Sequence, residues 1–162
     1  MGHSLADREW TPRGHSIEFR INAEDASKNF IPVPGTITEY REPIGNGVRV
    51  DGWAKSGTHI SHFYDNLIAK LVVWGNDRNE AIEVGQRCLN EYVVLGIPTT
   101  ISPILQIISS DAFAEGKVHV NYIEENLDLF IENETKEEVS RGKPETVSIS
   151  LDDKPSDNFS PK

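Results

Sequence analysis

Several features common in other proteins are scarce or missing in this chain of 162 residues. Cys88 is the single cysteine, so no disulfide can form within the chain, and we expect a reducing compartment: the cytoplasm, or the mitochondrial matrix if the source is eukaryotic. No apolar run approaches the roughly 18 residues that a membrane-spanning helix needs. No basic stretch followed by an apolar one marks a secretory signal at the N-terminus.

Positive charge is also scarce, since 16 Lys and Arg residues stand against 26 Asp and Glu residues and the formal net charge is −10. Such a chain repels phosphate groups, so nucleic acid and anionic membranes are poor partners for it. Short catalytic motifs are missing as well: the sequence contains no P-loop, GxGxxG, CxxC pair or GxSxG elbow. The familiar routes to nucleotide binding and acyl transfer are therefore absent from this chain.

Alternation of apolar and polar residues predicts strands in the first half of the chain. Residues 15–24, 36–41 and 48–53 alternate or are rich in β-branched residues, and we expect them to form an antiparallel meander because short turns separate them. Residues 66–75 (NLIAKLVVWG) are mostly apolar and end at a glycine. This composition is typical of a buried strand, although a helix over its first half fits the pattern too.

Apolar residues at spacings of three and four predict helices in the second half of the chain. The strongest stripe runs through residues 76–92, where Asn76 or Asp77 can cap the helix and Glu80 is placed for a capping box. A second stripe predicts a helix near residues 101–109.

These elements together predict an α+β fold, an antiparallel sheet meander with packed helices, and a further short helix over about 119–128. We expect residues 1–13 to be a disordered or extended lead-in and residues 14–130 to be one domain. Residues 131–162 have the composition of an acidic flexible tail or linker, because few apolar residues offset their ordering entropy. Within that tail, residues 146–151 (TVSISL) alternate and could add a strand.

Two histidines and the cysteine are candidates for metal binding or catalysis. His59 and His62 have the spacing of metal ligands on a helix, but their segment reads as a loop and offers no close third ligand, so surface histidines are the more ordinary interpretation. Cys88 lies on the apolar stripe of the strongest helix, where a buried structural thiol is more common than a nucleophile. We therefore predict no metal site.

Acidic residues on the first strand are a second candidate site. Glu18, Asn22 and Glu24 share strand parity, so the carboxylates could bind Mg²⁺ or act as an acid–base pair. The alternative is an ordinary solvated sheet face with ion pairs through Arg20, and we favour that interpretation.

The stretch GVRVDG, residues 47–52, holds the third candidate. Alternation places Arg49 on the polar face of a strand, and the flanking glycines allow other backbone to approach closely. A guanidinium fixed on a strand can bind a carboxylate, a phosphate or a ureido oxygen through paired donors, and Asp51 on the same face could orient it. Arginine is also common on solvated strand faces, so the residue pattern alone leaves both interpretations open.

Taken together, six blocks of the sequence resemble the C-terminal domain of biotin carboxylase in order and spacing. They are RGHSIEFRINAED (13–25), PVPGTI (32–37), GVRVD (47–51), YDNLIAKLVVWG (64–75), DRNEAI (77–82) and LGIPTT (95–100). The resemblance covers roughly residues 13–128, and the first block is most similar to bacterial acetyl-CoA carboxylase and to its propionyl-, methylcrotonyl- and pyruvate-carboxylase relatives. Gly52, Asn66 and Leu95 depart from the family pattern, which often has serine at the first two positions and an acidic residue at the third.

The resemblance implies part of an ATP-grasp ligase, which forms carboxyphosphate from bicarbonate and MgATP and then carboxylates biotin on a carrier protein. In that family the arginine of GVR lies beside the biotin ureido oxygen and carboxyphosphate, which implies that role for Arg49. Trp74 and Arg78 are similar to family positions at a homodimer interface. The residues that bind ATP and Mg belong to parts of the family enzyme not found in this sequence, so we expect this chain to be inactive alone.

The resemblance also implies two partners, a biotin carboxyl carrier protein or domain and a carboxyltransferase. An alternative is a standalone binding or dimerisation module that uses the same scaffold without chemistry. The sequence does not identify the acceptor of the carboxyl group, and the resemblance implies that the carboxyltransferase selects it.

Overall fold

The computed structural model describes residues 11–127 of the chain. Within this part the strands are β1 (His15–Asn22), β2 (Glu24–Asp25), β3 (Ile31–Pro32), β4 (Gly35–Thr36), β5 (Glu39–Arg41), β6 (Val48–Gly52), β7 (His59–Ile60), β8 (Leu67–Gly75) and β9 (Val93–Leu95). The helices are α1 (Arg78–Glu91), α2 (Ile101–Ile108), α3 (Asp111–Ala114) and α4 (Tyr122–Glu125), with a 3-10 turn at Ala26–Lys28. Antiparallel strands with packed helices confirm the predicted α+β class.

The main sheet has three strands in the order β1-β8-β6, and both pairings are antiparallel. The central strand β8, Leu67–Gly75, confirms the strand predicted over residues 66–75 and excludes the helix over its first half. Its register places Leu71 between Phe19 of β1 and Val50 of β6. Because strand side chains alternate, this row points to the core, while the next row points away from it. The sheet therefore has one buried face and one open face.

The predicted meander is wrong. Strand β8 separates β1 from β6, and residues 36–41 do not join the main sheet: β4 pairs with β7, and β5 pairs with β9. The physical reason lies in composition. Strand β8 is apolar at nearly every position, and such a strand is favoured at the centre of a sheet, where a neighbouring strand lies on each side of it. Residues 36–41 instead form two short pairings that cover the edge of the core, and Ile37 between them is fully buried.

Helix α1 packs its apolar stripe against the buried face of the sheet. The buried members of this stripe are Ala81, Ile82, Gly85, Cys88 and Leu89, which confirms the predicted helix face. A Cβ built on Gly85 would lie 2.8 Å from Ile108 Cδ1 and 3.0 Å from the Phe19 ring. The glycine therefore permits the close approach of α1 to both β1 and α2.

The N-terminus of α1 confirms the predicted cap and selects Asp77 for it. The Asp77 side chain accepts a hydrogen bond of 2.9 Å from the Glu80 amide, and Glu80 Oε2 accepts one of 2.7 Å from the Asn76 amide. These two hydrogen bonds give acceptors to the amides of Glu80 and Asn76, which have no carbonyl partner within the helix.

The later helices agree with the sequence only in part. Helix α2 confirms the prediction near 101–109. The helix predicted over about 119–128 starts too early, since α4 begins at Tyr122 and has four residues, and its predicted end at residue 128 lies outside the described residues. Helix α3 was not predicted. A local signal for α3 existed, because the Ser110 hydroxyl accepts a hydrogen bond from the Phe113 amide as an N-cap.

The predictions for residues 1–10 and 128–162, including the acidic tail and its strand at 146–151, lie outside the described residues. In the part that is described, no helix has both the length and the apolar character to cross a membrane.

Candidate functional site

Arg49 lies on the open face of the main sheet, on the outer strand β6. Its register partner on β8 is Val72, whose partner on β1 is Glu18. In the next row on the same face, Lys70 has Asp51 on one side and Arg20 on the other. The open face thus carries positively and negatively charged side chains around the half-buried Val72.

Arg49 is held by the carboxylate two residues along its own strand. Asp51 Oδ2 accepts a hydrogen bond of 3.1 Å from Arg49 Nε and lies 3.1 Å from Nη2. The geometry agrees with the expectation that Asp51 orients the guanidinium. The Arg49 side chain remains 68% exposed, so its outer end is accessible to a ligand.

Gly47 sets the start of the strand that carries Arg49. Its φ is 69°, in the left-handed region, and a Cβ there would lie 2.5 Å from the carbonyl oxygen of Trp74. The Gly47 carbonyl in turn accepts a hydrogen bond of 2.8 Å from the Trp74 amide. Glycine at this position therefore has a physical reason, which is the close approach of β8 that the sequence pattern anticipated.

Gly52 ends the same strand for a different reason. A Cβ there would lie 3.1 Å from Tyr40 Oη and 3.1 Å from Ala69 Cβ, so side chains and not backbone fill the space beside it. The Tyr40 hydroxyl lies 2.7 Å from the Tyr92 hydroxyl and donates a hydrogen bond of 2.9 Å to Glu42. Burial raises the pKa of Tyr40 to about 12 and raises the pKa of Tyr92 as well, so both phenols stay neutral.

Only two of the three candidates Glu18, Asn22 and Glu24 come together, and Glu24 lies on β2 and not on β1. The pairing of β1 with β8 shifts register between Ile21 and Asn22. Beyond the shift, Glu24 Oε1 accepts hydrogen bonds of 2.9 Å from the side-chain amide of Asn22 and 2.8 Å from that of Asn66. Glu18 lies in the row of Arg49 and is exposed. Glu24 therefore links Asn22 and Asn66 through hydrogen bonds, and Glu18 is not part of this group.

The two histidines make separate contacts. His59 Nδ1 lies 3.1 Å from the Thr36 hydroxyl, while the His62 ring lies 3.8 Å from the Phe63 ring, measured between centroids. Among residues 11–127, no group of three or more His, Cys, Asp and Glu side chains could hold a metal ion. Cys88 is fully buried, and burial raises the pKa of its thiol, which makes it a poor nucleophile.

Trp74 and Arg78 differ in how much of each side chain is available to a partner. Trp74 is 43% exposed and donates a hydrogen bond of 3.1 Å to the Arg13 carbonyl. The Arg78 guanidinium is half-buried, donates a hydrogen bond of 2.5 Å to the Phe113 carbonyl, and stacks over the Phe113 ring at 4.8 Å. Arg78 is thus engaged within the chain, whereas Trp74 presents apolar surface to solvent.

The sequence patterns did not predict an aromatic cavity of about 540 Å³ beside strand β7. Its lining includes Trp53, Ile60, Tyr64 and Leu67. Trp53 and Tyr64 are 59% and 84% exposed, which is unusual for large aromatic side chains. The signal available in the sequence was the concentration of aromatic residues in a segment that otherwise reads as a polar loop.

Comparison with known proteins decides the family. The sequence model described as "Biotin carboxylase C-terminal domain" matches residues 18–125. The chain belongs to the biotin carboxylase C-terminal domain family.

The relatives of this biotin carboxylase C-terminal domain are much longer proteins. The chain is 49% identical over 113 residues to a pyruvate carboxylase subunit of Methanothermobacter thermautotrophicus, a match covering 70% of this chain and 23% of that protein. It is 44% identical over 113 residues to the biotin carboxylase of Nostoc sp., covering 70% and 25%. The chain thus spans about a quarter of the length of these relatives.

Solved structures agree with the biotin carboxylase fold. The biotin carboxylase domain dimer of Hydrogenobacter thermophilus 2-oxoglutarate carboxylase, in complex with MgADP, ADP and bicarbonate, matches with a TM-score of 0.71 and 41% identity, covering 73% of this chain and 26% of that chain. The biotin carboxylase subunit of pyruvate carboxylase matches with a TM-score of 0.70 and 39% identity, with the same coverage. The predicted family resemblance is confirmed.

Proposed function

We propose that this chain is the C-terminal part of a biotin carboxylase, an ATP-dependent carbon–nitrogen ligase, and that Arg49 binds biotin and carboxyphosphate in it. The observation that carries the proposal is the exposed guanidinium of Arg49, clamped by Asp51 on the open face of the sheet. Within the described residues its Nη1 end makes no hydrogen bond, so two N–H donors are available to an anion or a ureido oxygen.

Arg49 suits negative charge that develops on a substrate oxygen. When biotin loses the proton from its ureido nitrogen, charge accumulates on the ureido oxygen, and a guanidinium already in place stabilises it without reorganisation. The same donors fit the oxygens of carboxyphosphate. Arg49 would therefore act by electrostatic stabilisation and not by proton transfer, because arginine keeps its protons at neutral pH.

The described residues do not fit ATP or Mg²⁺. They offer neither a phosphate-binding loop nor a group of three potential metal ligands. We propose that both are bound by the ATP-grasp portion of the full enzyme, outside this chain. On this view the chain alone does not turn over.

The partners follow from the same proposal. The relatives include subunits of a biotin-dependent acyl-coenzyme A carboxylase and of a 2-oxoglutarate carboxylase, at 37% and 41% identity. Since acceptors differ among relatives of similar identity, we propose that a separate carboxyltransferase selects the acceptor and that a biotin carrier delivers the carboxyl group. Homodimerisation through a surface that includes Trp74 and Arg78, and location in the cytoplasm or mitochondrial matrix, stay predictions.

Restoring the missing part tests the proposal. The full chain is fused behind the upstream portion of the Methanothermobacter relative, with that intact relative as the positive control, and biotin-dependent ATP hydrolysis is measured. We expect activity from the fusion, whereas a folded but inactive fusion would favour a non-catalytic module.

A substitution then tests Arg49 itself. Arg49→Ala should reduce biotin-dependent turnover roughly 100-fold, the effect of losing one preorganised donor group at a developing oxyanion. Bicarbonate-dependent ATP hydrolysis without biotin should fall far less. Arg87→Ala is the matched control, because Arg87 is also a partly exposed, ion-paired arginine but lies on α1. Equal loss of both activities in Arg49→Ala would refute the role.

A further inference from the structure

The orientation of the Arg49 guanidinium depends on a single carboxylate oxygen. Asp51 Oδ2 lies 3.1 Å from both Nε and Nη2, so it occupies one edge of the planar group. A contact shared by two adjacent nitrogens fixes the rotation of that plane, which a contact to one nitrogen would not do. The opposite edge, at Nη1, is directed away from Asp51.

We propose that Asp51 is a positioning residue for biotin carboxylation: it fixes the Arg49 guanidinium with its Nη1 edge toward the ureido oxygen. This inference rests on the proposed function and extends it to a second residue. It also assigns different tasks to the two ends of one guanidinium. The Nε–Nη2 edge is the anchor, and the Nη1 edge contacts the substrate.

Other charges on the open face do not compete for these positions. Lys70 is the register partner of Asp51, yet among the described residues Asp51 forms its ion pair along the strand with Arg49 and not across the sheet with Lys70. Glu18 lies in the row of Arg49, beyond Val72, and makes no ion pair in the described part of the chain. Of these two carboxylates on the open face, only Asp51 holds Arg49.

The pair is poorly placed to serve stability. The Asp51 side chain is 49% exposed and that of Arg49 is 68% exposed, so water solvates both charges and salt screens their attraction. The contact with Asp51 instead restricts the orientations that the Arg49 guanidinium can adopt. A flexible arginine would have to be ordered when the substrate binds, whereas an arginine already fixed does not.

The test compares three variants in the active fusion of this chain with the upstream portion of the Methanothermobacter relative. Asp51→Asn removes the charge, Asp51→Glu keeps a carboxylate with longer reach, and Glu18→Gln is the control that removes one negative charge from the same face. The measurements are kcat and KM for biotin, the ratio of biotin-dependent to biotin-independent ATP hydrolysis, and the thermal unfolding midpoint.

We expect Asp51→Asn to lower biotin-dependent kcat/KM roughly 10- to 100-fold, because a misplacement of about 1 Å at a reacting centre can cost about 100-fold. The hydrolysis ratio should fall in parallel. Asp51→Glu should recover most of that loss, and Glu18→Gln should match the parent. The unfolding midpoints of the variants should agree with the parent's, which separates positioning from folding.

Each failure has a distinct meaning. If Arg49→Ala lowers the biotin-dependent rate but Asp51→Asn does not, the positioning role is wrong and the proposed function stands. If neither substitution changes it, the proposed role of Arg49 fails first. If Glu18→Gln lowers the rate as much as Asp51→Asn, the effect is the general charge of the face, and the positioning role is again refuted.

Discussion

Leu71→Ala should destabilise the protein strongly, because Leu71 occupies the centre of the buried face. Its exposed fraction is 0%, and its register neighbours are Phe19 and Val50 on the two flanking strands. Helix α1 covers this face, so neighbouring elements on three sides limit collapse into the space left by the substitution. For such a site the loss of transfer free energy and the residual cavity together cost about 3–4 kcal/mol.

Val72→Ala on the next position is the matched comparison. Val72 belongs to the same strand but points to the open face, between Glu18 and Arg49, where it is only half-buried. Removing part of a half-buried side chain, together with the lower strand preference of alanine, costs about 1 kcal/mol or less. The difference between the two free energies of unfolding therefore reports which face of β8 is covered.

Urea unfolding of the full chain, followed by tryptophan fluorescence, measures both variants. With a denaturant slope of about 2 kcal/mol per molar, Leu71→Ala should lower the midpoint by about 1.5–2 M, and Val72→Ala by about 0.5 M or less. Equal losses would mean that both faces of the sheet are buried. Arg49 would then lie on a covered face, where a substrate could not reach its guanidinium.

Two further predictions concern the cap of α1 and the paired tyrosines. Asp77→Ala should cost about 1 kcal/mol by thermal unfolding, whereas Asp77→Asn, which keeps the acceptor for the Glu80 amide, should cost a few tenths; equal losses would assign the effect to charge. The pKa of Tyr40 is raised to about 12 and that of Tyr92 is also raised by burial, so the neutral phenols stabilise the fold fully below about pH 10, and this contribution is lost as pH rises toward 12. Tyr92→Phe should flatten the fall in unfolding free energy between about pH 10 and 12, and an unchanged slope would contradict the assignment.

Local periodicity was sufficient to predict most elements of this domain. The stripe of α1 and the alternation of β1 and β6 each depend on neighbours within a few residues, which the sequence displays directly. Pairing between strands was not predictable in the same way. Strand β8 inserts between β1 and β6 from beyond a loop, and no short-range pattern distinguishes that arrangement from a hairpin between earlier strands.

In the candidate site, too, features that depend on residues close in sequence were predicted, and features that depend on strand pairing were not. Parity alone placed Arg49 and Asp51 on one face, and the structure joins them at 3.1 Å. The aromatic cavity was not predicted because Trp53 and Tyr64 line one space only once β7 and the start of β8 are in place, and because loop side chains follow no period. The register shift that brings Asn66 to Glu24 is likewise a property of the paired strands and not of either one.

Arg49 is constrained twice, and the two constraints are independent. Its backbone is fixed by the register of β6 on β8 and by Gly47, whose left-handed φ and contact with Trp74 admit no side chain. Its guanidinium is fixed by Asp51 on the solvated face. Because the first constraint lies in the packed sheet and the second on its surface, a substitution at Asp51 can free the guanidinium without moving the strand. The ion pair with Asp51 can therefore affect the rate of reaction although it has little effect on stability. It sets the orientation of the Arg49 guanidinium, the end of the side chain that the packed sheet does not hold.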